Sequence, residues 1–466
     1  MKIKKSNNSD VEKYGIVYTS DFLVNKILDL IPCHYFRDPT LRWLDLGAGK
    51  GAFTINLYNR LNENLIMSIS DQNERNKHII ENMIYMVEIY EPHINKLKAI
   101  FKDINSEAKI NLIEKDFLSL NKYEYPYFDF IIGNPPYNIE GSIKTPTNKI
   151  KEKKSDGKTI YTDFVKKSID MLHDGGYLNL IIPNLWLKPD KAGLYKILTD
   201  LNIIYLNSLS TSESYKLFNY QAQTPTCFFL IRKQTTSYID NKILHLYDKY
   251  ENKYIEYTLL KNYPIPTHGI TIVNKLIQYI ETHGSIIYYK TNTPPKNCKI
   301  SNDIYNIDEV YLFKNIRTCL IDRLKPKLVY NYSDKKQSYY KVPKLVLAHK
   351  MYGFPYYDKT GEFGISTRDN YIISSKDYNC QELEQIQNFI STKFALFIFS
   401  VANYRMRFLE KYAFQFIPDI TKLPYFPDLK NMNREKRDKK IGCYFNFTEK
   451  EMEIIEKSCR NYEFFI

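Results

Sequence analysis

Apolar positions along the first half of the chain repeat with two alternating periods. GIVYTSDFLVNKILDLI (15–31) predicts a short lead-in followed by a helix. Phe22, Leu23, Ile27, Leu28 and Ile31 recur at helical spacing, and Ser20 or Thr19 stands where a cap belongs. LRWLDLGAGKGAFTINLYNRL (41–61) predicts a strand, a glycine turn and a second helix. ENMIYMVEI (81–89) has the character of a buried strand, with a helix over PHINKLKAIF (92–101) behind it. KINLIEKDFL (109–118) and FDFII (128–132) predict two more strands. KTIYTDFVKKSIDMLHDGG (158–176) predicts a helix stopped by glycine, and the strands YLNLIIP (177–183) and TPTCFFLIRK (224–233) follow. Uniformly apolar strands alternating with helices belong to a parallel sheet covered on both faces. The expected fold class is therefore α/β, a doubly wound, mostly parallel sheet that binds ligands at the carboxyl ends of its strands.

Past about residue 240 the pattern changes. Tyr, Lys and short β-like runs dominate. KLVLAHKMYGFPYYDKTGEFGISTRDNYII (344–373) reads as a β-rich unit, and ELEQIQNFISTKFALFIFSVAN (382–403) as one long amphipathic helix. Two stretches lack a period: the basic loop KTPTNKIKEKKSDGK (144–158) and DLKNMNREKRDKK, a polar linker ending at Lys440. No internal repeat is visible. These shifts divide the chain into a first domain over 1–240, a second over 241–430, and a C-terminal linker and helix over 431–466.

Composition narrows the class. With 44% apolar residues in a chain of 466, there is material for two or three cores, and disorder is excluded. Lys and Arg number 66 against 53 Asp and Glu, and the formal charge of +13 points to a polyanionic partner, nucleic acid first. Asn, Ile, Lys and Tyr are abundant throughout, so a single Lys or Tyr carries little information. The seven cysteines form no CxxC pair and stand apart from clustered histidines. That speaks against a zinc site or a disulfide framework and for a reducing, cytoplasmic interior; no metal is expected. MKIKKSNNSD lacks the apolar segment of a secretory signal. No apolar run approaches the roughly 20 residues that cross a bilayer.

The chemistry concentrates at two predicted strand ends. DLGAGKG (45–51) is a D-x-G-x-G-x-G turn between a strand and a helix. Its glycines let the backbone approach a ligand, and the helix N-terminus favours an anionic group. The dinucleotide fingerprint is G-x-G-x-x-G; here the third glycine comes one residue early, which fits S-adenosylmethionine better. A nucleoside also needs an acid at the next strand end for its ribose hydroxyls. Asp71 and Glu88 are the candidates, and Glu88 is preferred because its strand is followed by the helix that a βαβ unit requires. Residues 62–82 are then an insertion carrying a helix. Asp116 ends the following strand, where it can accept from the adenine amino group of the cofactor, with Phe117 or a neighbour against the ring.

The second strand end is FDFIIGNPPYN (128–138), where two prolines forbid continuation of the strand. An exocyclic amine on an aromatic base is a poor nucleophile because its lone pair is delocalised. Two acceptors on its N–H groups can free that lone pair, and the Asn134 side-chain oxygen and the Pro135 carbonyl can be those acceptors. Pro135 and Pro136 hold the carbonyl in place, which is preorganisation. Tyr137 can stack on the base. A sulfonium supplies the methyl group, so the step asks for no metal. A base inside a duplex must be flipped out to react.

These residues, in this order, resemble the N6-adenine DNA methyltransferases of the gamma subclass, type II restriction-modification methylases of the NPPY type. The resemblance spans nearly the whole chain. It implies a Rossmann-like S-adenosylmethionine-dependent methyltransferase fold over 1–240 and a C-terminal α+β target recognition domain over 241–430. Tyr18 and Thr19 match an aromatic-Thr lead-in that folds over the cofactor, with Ser20 where that family usually has Pro. Asp45, Gly47, Gly49 and Gly51 match the cofactor loop, Glu88 the ribose acid and Asp116 the adenine contact. Asn134, Pro135, Pro136 and Tyr137 match the catalytic tetrapeptide, and Phe218 matches an aromatic facing the flipped base from the other side. In the C-terminal half KVPKLVLAHK, then Y-x-D-x-x-G-x-x-G, then ITKLP keep the family's order of elements. Lys350, Arg368, Arg405 and Arg407 are the candidate DNA contacts, since arginine reads guanine bidentately or holds phosphate.

The reading that results is a monomeric, site-specific DNA adenine-N6 methyltransferase that uses S-adenosylmethionine and binds double-stranded DNA between its two large domains. Pro427-Asp428 with Asp438-Lys439-Lys440 spells a nuclease-like PD…DxK, but that chemistry needs acids converging on a metal from adjacent strands, and the stretch has no strand period. The segment before Tyr18 is too short for a nuclease domain, so any restriction endonuclease partner is expected on another chain. An RNA methyltransferase, a protein-glutamine methyltransferase and an inactive methylase-like DNA-binding subunit are the rival readings.

Overall fold

The computed structural model describes residues 18–138, 159–190, 192–219, 224–234, 241–302, 311–322, 325–349, 355–405 and 409–459. The basic loop 144–158, Lys350 and Arg407 lie outside the described residues. The chain divides into two units, residues 1–247 and 248–466.

The first unit is built on eight strands: β1 (Trp43–Asp45), β2 (Ile84–Val87), β3 (Asn111–Ile113), β4 (Phe128–Gly133), β5 (Leu172–Pro183), β6 (Asn202–Leu209), β7 (Thr226–Arg232) and β8 (Asn241–Asp248). Their order is β3-β2-β1-β4-β5-β7-β6-β8, and the described pairs are parallel except those made by β7, which runs against both β5 and β6. The helices between them are α1 (Asp21–Leu28), α2 (Ala52–Asn64), α3 (Gln72–His78), α4 (Glu91–Ile104), α5 (Tyr161–Met171), α6 (Leu194–Asp200) and α7 (Thr211–Leu217). An aromatic stack locks the strands at the centre of the sheet. Trp43 on β1 stacks on Phe36 (5.3 Å, 9°) and on Phe130 of β4 (4.0 Å, 12°), and Phe130 stacks in turn on Tyr177 of β5 (4.9 Å, 10°). Such pairs add to the burial of four large aromatic side chains.

Several elements depart from the pattern read in the sequence. Residues 79–83 form a turn of π-helix, so β2 is four residues long rather than nine. α5 ends at Met171 and β5 begins at Leu172, so the glycines at 175–176 do not stop the helix. They lie inside the sheet, where the register of β5 against β4 shifts. Gly175 has φ +91°, and a Cβ on Gly176 would lie 3.1 Å from the Asp129 carbonyl. Glycine inside a strand commonly marks such a bulge.

In the second unit the long helix of 382–403 is two helices. After β9 (Lys253–Leu260) and α8 (Ile270–His283) come α9 (Cys380–Ile390) and α10 (Lys393–Val401), broken at Ser391-Thr392. Thr392 caps α10 by accepting from the Ala395 N–H (3.2 Å). The polar stretch ending at Lys440 is no linker either: α11 (Arg434–Tyr444) and α12 (Glu449–Ser458) pack against α10 within this unit. Asp438 explains why. It is buried and accepts from the backbone N–H groups of Lys393 (3.2 Å) and Phe394 (2.9 Å), closing the N-terminus of α10. Both of its oxygens are used in this way, and Asp428 accepts from the Lys430 N–H, so the PD…DxK spelling builds structure.

Two four-stranded sheets complete the second unit. One has the order β10-β17-β14-β15, from β10 (Tyr289–Lys290), β14 (Lys344–Ala348), β15 (Pro355–Asp358) and β17 (Asn370–Ser374). The other has the order β11-β13-β12-β16, from β11 (Ile300–Ser301), β12 (Phe313–Asp322), β13 (Lys325–Ser333) and β16 (Gly364–Ile365). Ile316, Val346, Phe363, Ile365 and Ile372 form a core shared by the two sheets. Lys344 is fully buried. Its Nζ donates to Asp358 (2.5 Å) and to the carbonyls of Phe363 (2.7 Å), Tyr339 and Val342 (both 3.1 Å), so its charge is paired and solvated by backbone.

Candidate active site

The strand order reverses direction between β1 and β4, and both chemical motifs leave the sheet there. From β1 the chain runs outward to β2 and β3, then returns to the other side of β1 as β4. The crevice at such a switch point, outside the carboxyl ends of the strands, is where doubly wound sheets bind ligands. Asp45 pairs with Ile132 across β1 and β4. The glycine loop therefore starts one strand away from Asn134. Gly133 makes this adjacency possible. It has φ +135°, and a Cβ there would meet Asp45 Oδ1 at 3.1 Å.

Asp45 holds the loop from below. Its carboxylate accepts from the Thr54 hydroxyl (2.7 Å) and from the Gly47 N–H (3.3 Å). Burial pushes its pKa up to about 6, against the pull of those hydrogen bonds and with Glu88 adding to the rise. Gly49 (φ +55°) and Gly51 (φ +93°) are left-handed, and Gly51 opens α2. A Cβ on Gly47 would meet nothing within 4 Å, so the outer face of the loop is open.

Glu88, just past β2, closes one side. It accepts from the N–H groups of Gly49 (2.7 Å), Ile89 (2.8 Å) and Tyr90 (2.8 Å), with His93 Nδ1 at 3.5 Å. Burial pushes its carboxyl up, but the hydrogen bonds from His93, Tyr90 and Ile89 outweigh it and hold the group below the usual glutamate range. Tyr18 sits beside these groups, with Lys50 Nζ 4.0 Å from its ring centre and the His93 ring 6.3 Å away, edge on. Asp71, the other candidate acid, caps α3 by accepting from the Glu74 N–H.

Asn134 leaves β4 with its amide fixed. Nδ2 donates to Thr19 Oγ1 (3.1 Å), while Oδ1 is enclosed and has no partner. A buried carbonyl oxygen without a donor costs about 1–3 kcal/mol, which a bound N–H would recover. Pro135 is buried behind it, and the Tyr137 carbonyl accepts from Ile160 (3.1 Å), tying down the far end of the tetrapeptide. The Tyr137 ring is half-buried with Tyr161 edge on at 6.3 Å, and its hydroxyl is enclosed without a partner. Burial, then Cys227 and Tyr161, hold that hydroxyl protonated well above the usual tyrosine range.

The remaining sequence candidates divide. Asp116 is exposed beyond β3, beside the β2 end, and caps the turn at 117–119 by accepting from the Leu118 N–H (3.0 Å). Phe117 is buried and stacked on Phe164 (5.3 Å), so its face is taken by the core rather than offered to an adenine ring. Phe218 is fully buried at the end of α7 and presents no open face to a base. Arg368 and Arg405 are exposed in the second unit. Sequence reasoning missed Thr54, His93 and Lys50, and it missed the bond from Asn134 to Thr19. Only Thr54 left a signal, a small hydroxyl among Phe53, Leu57, Tyr58 and Leu61 on the buried face of α2.

The first unit has the expected fold class, a doubly wound, mostly parallel α/β sheet. Residues 52–218 match the family described as Eco57I restriction-modification methylase. The chain is 29% identical over 208 residues to the type II methyltransferase M.BstVI of Geobacillus stearothermophilus, covering 40% of this chain and 36% of that protein. It is 26% identical over 380 residues to the putative type II restriction enzyme and methyltransferase RM.MjaORFECS2P of Methanocaldococcus jannaschii, covering 76% of this chain and 28% of that one. The matches thus span about a third of the length of these curated relatives. Among solved structures, the type IIL restriction-modification enzyme MmeI in complex with DNA shares the fold at a TM-score of 0.52 and 12% identity, over 97% of this chain and 80% of that one.

The residues fit the S-adenosylmethionine expected from the sequence. The open face at Gly47 leaves room for the ligand, the backbone of the left-handed loop can approach it, and Glu88 keeps its charge at the neighbouring strand end. No helix among the described residues is long and apolar enough to cross a membrane. No cluster of His, Cys, Asp and Glu among them could hold a metal ion.

Proposed function

We propose that the protein is a site-specific DNA methyltransferase that methylates N6 of an adenine turned out of duplex DNA. The observation that carries this reading is the Asn134 amide, whose nitrogen is bonded to Thr19 and whose buried oxygen has no partner. An amide held in that sense leaves its buried oxygen as an acceptor for whatever enters. An exocyclic amine is a ligand that satisfies it, and the Pro135 carbonyl can take the second N–H. Pulling on both N–H groups shifts the nitrogen lone pair out of the ring and readies it for attack. The loop 45–51, Glu88 and Tyr18 would hold S-adenosylmethionine, which would supply an electrophilic methyl group on a sulfonium. Tyr137, with its hydroxyl buried, can offer its ring to the base.

A glutamine side-chain amide is also a conjugated NH2 group and would suit the same acceptors. The formal charge of +13 favours a polyanion instead. Purified protein incubated with labelled cofactor and unmethylated duplex DNA should place label in DNA, and Asn134→Ala should not. Label entering RNA or protein instead, or equal labelling by the variant, overturns the reading.

A further inference from the structure

His93 is a buried histidine for which the proposed reaction has no use. It stands in the first turn of α4, with 5% of its side chain exposed. The other buried positions of this helix, Ile94, Leu97 and Phe101, are apolar. Leu97 packs where Gly51 lacks a side chain: a Cβ there would come within 3.0 Å of it, and this approach sets α4 beside the glycine loop. His93, four residues earlier on the same face of the helix, is carried to the carboxyl end of β2. An apolar residue would fill that place at less cost, because a buried polar ring needs a partner.

The partner is Glu88. His93 Nδ1 lies 3.5 Å from Oε2, and because an ionised carboxylate only accepts, the ring turns an N–H toward it. Oε2 also takes the Gly49 N–H, while Oε1 takes those of Ile89 and Tyr90. The Glu88 side chain is itself only 9% exposed, and burial works against its charge. Among the contacts that oppose burial, the one from His93 is the largest. The same ring stands edge on to Tyr90 at 4.9 Å and to Tyr18 at 6.3 Å. His93 thus lies against both the acid and the aromatic residue expected around the cofactor.

We infer that His93 is a positioning residue for the cofactor, its imidazole fixing the Glu88 carboxylate as the acceptor for the ribose hydroxyls of S-adenosylmethionine. A charged acceptor makes the stronger hydrogen bond to a hydroxyl, and a protonated Glu88 would turn one of its oxygens into a donor. The inference rests on the reading of Glu88 as the ribose acid and adds the residue that keeps that acid ready.

The test measures binding rather than turnover. S-adenosylhomocysteine and its 2′-deoxy analogue are titrated into the full chain by calorimetry. The parent should prefer the ribose form by about tenfold or more, the worth of one hydrogen bond to a charged group. His93→Phe keeps a ring in place and removes the donor. It should bind S-adenosylhomocysteine about five- to tenfold more weakly, with most of that loss missing for the deoxy analogue, so that the preference shrinks. His93→Asn, which puts an N–H donor near the Nδ1 position, should recover most of the affinity, and His93→Leu should not. If His93→Phe does not fold, the Asn and Leu variants give the same comparison. Glu88→Gln should lose the preference as well, and adding His93→Phe to it should change the preference no further. A histidine that merely fills space would weaken both ligands alike, with Asn worse than Phe; that result overturns the inference, as does a parent-like preference in His93→Phe. A Glu88→Gln protein that keeps the preference shows instead that Glu88 is not the ribose acid, and the inference falls with that reading.

Discussion

Asn134 and Thr19 lie 115 residues apart in the chain and meet in one hydrogen bond. If that bond sets which end of the amide faces the site, removing either partner has a distinct signature. Asn134→Ala should lower kcat by about 10²–10³-fold with little change in cofactor affinity, as losing one preorganised group does. Thr19→Val should lower kcat less, by about tenfold, because the amide is freed to turn rather than removed, and Thr19→Ser should restore most of it. Single-turnover methyl transfer by the three variants checks both. Asp45 makes a pH prediction. Its folded pKa of about 6 lies above the ordinary 3.8, so the native state holds the proton more tightly. Its contribution favours folding below pH 3.8 and is lost as pH rises through 6. The cost of ionising it is up to about 3 kcal/mol. Asp45→Asn, which does not ionise, should gain stability relative to the parent across that window, by denaturant melts taken at each pH. A constant difference would show that burial does not govern this carboxyl.

Elements were legible in the sequence where one local rule acts alone. Helix α1, with Ser20 as its cap, the strand–loop–helix at 41–61 and the strand before NPPY all follow from period, caps and glycine. They failed where a distant partner decides. The break at Ser391-Thr392 depends on Asp438 receiving the N–H groups of α10, and the glycines at 175–176 belong to a bulge set by β4. Within the site, the glycine loop and NPPY were readable as motifs, whereas the Asn134–Thr19 bond and the packing of Phe117 and Phe218 are tertiary facts with no local signal. Gly133 joins motif to fold. Gly133→Ala would put a Cβ at positive φ against Asp45, and it should cost about 1–3 kcal/mol and reduce methyl transfer with it. In the second unit Lys344→Met should cost about 3–5 kcal/mol by leaving Asp358 buried without its cation, and adding Asp358→Asn should recover part. Both are read by denaturant melts.

At the scale of the molecule, a unit with the cofactor crevice is followed by a β-rich unit carrying exposed basic groups. If the partner is duplex DNA held through its phosphates, affinity should fall steeply with salt, with a slope of log K against log salt steeper than about −4. Salt-insensitive binding would point to another class of ligand. The central claim is that the unpartnered Asn134 oxygen receives an adenine amine. Unmethylated genomic DNA should be treated with the protein and S-adenosylmethionine, and its modified bases mapped by sequencing and nucleoside mass spectrometry. N6-methyladenine should appear at one fixed sequence context and be absent after treatment with Asn134→Ala. Methylated cytosine, or no modified base with active cofactor binding, would contradict it.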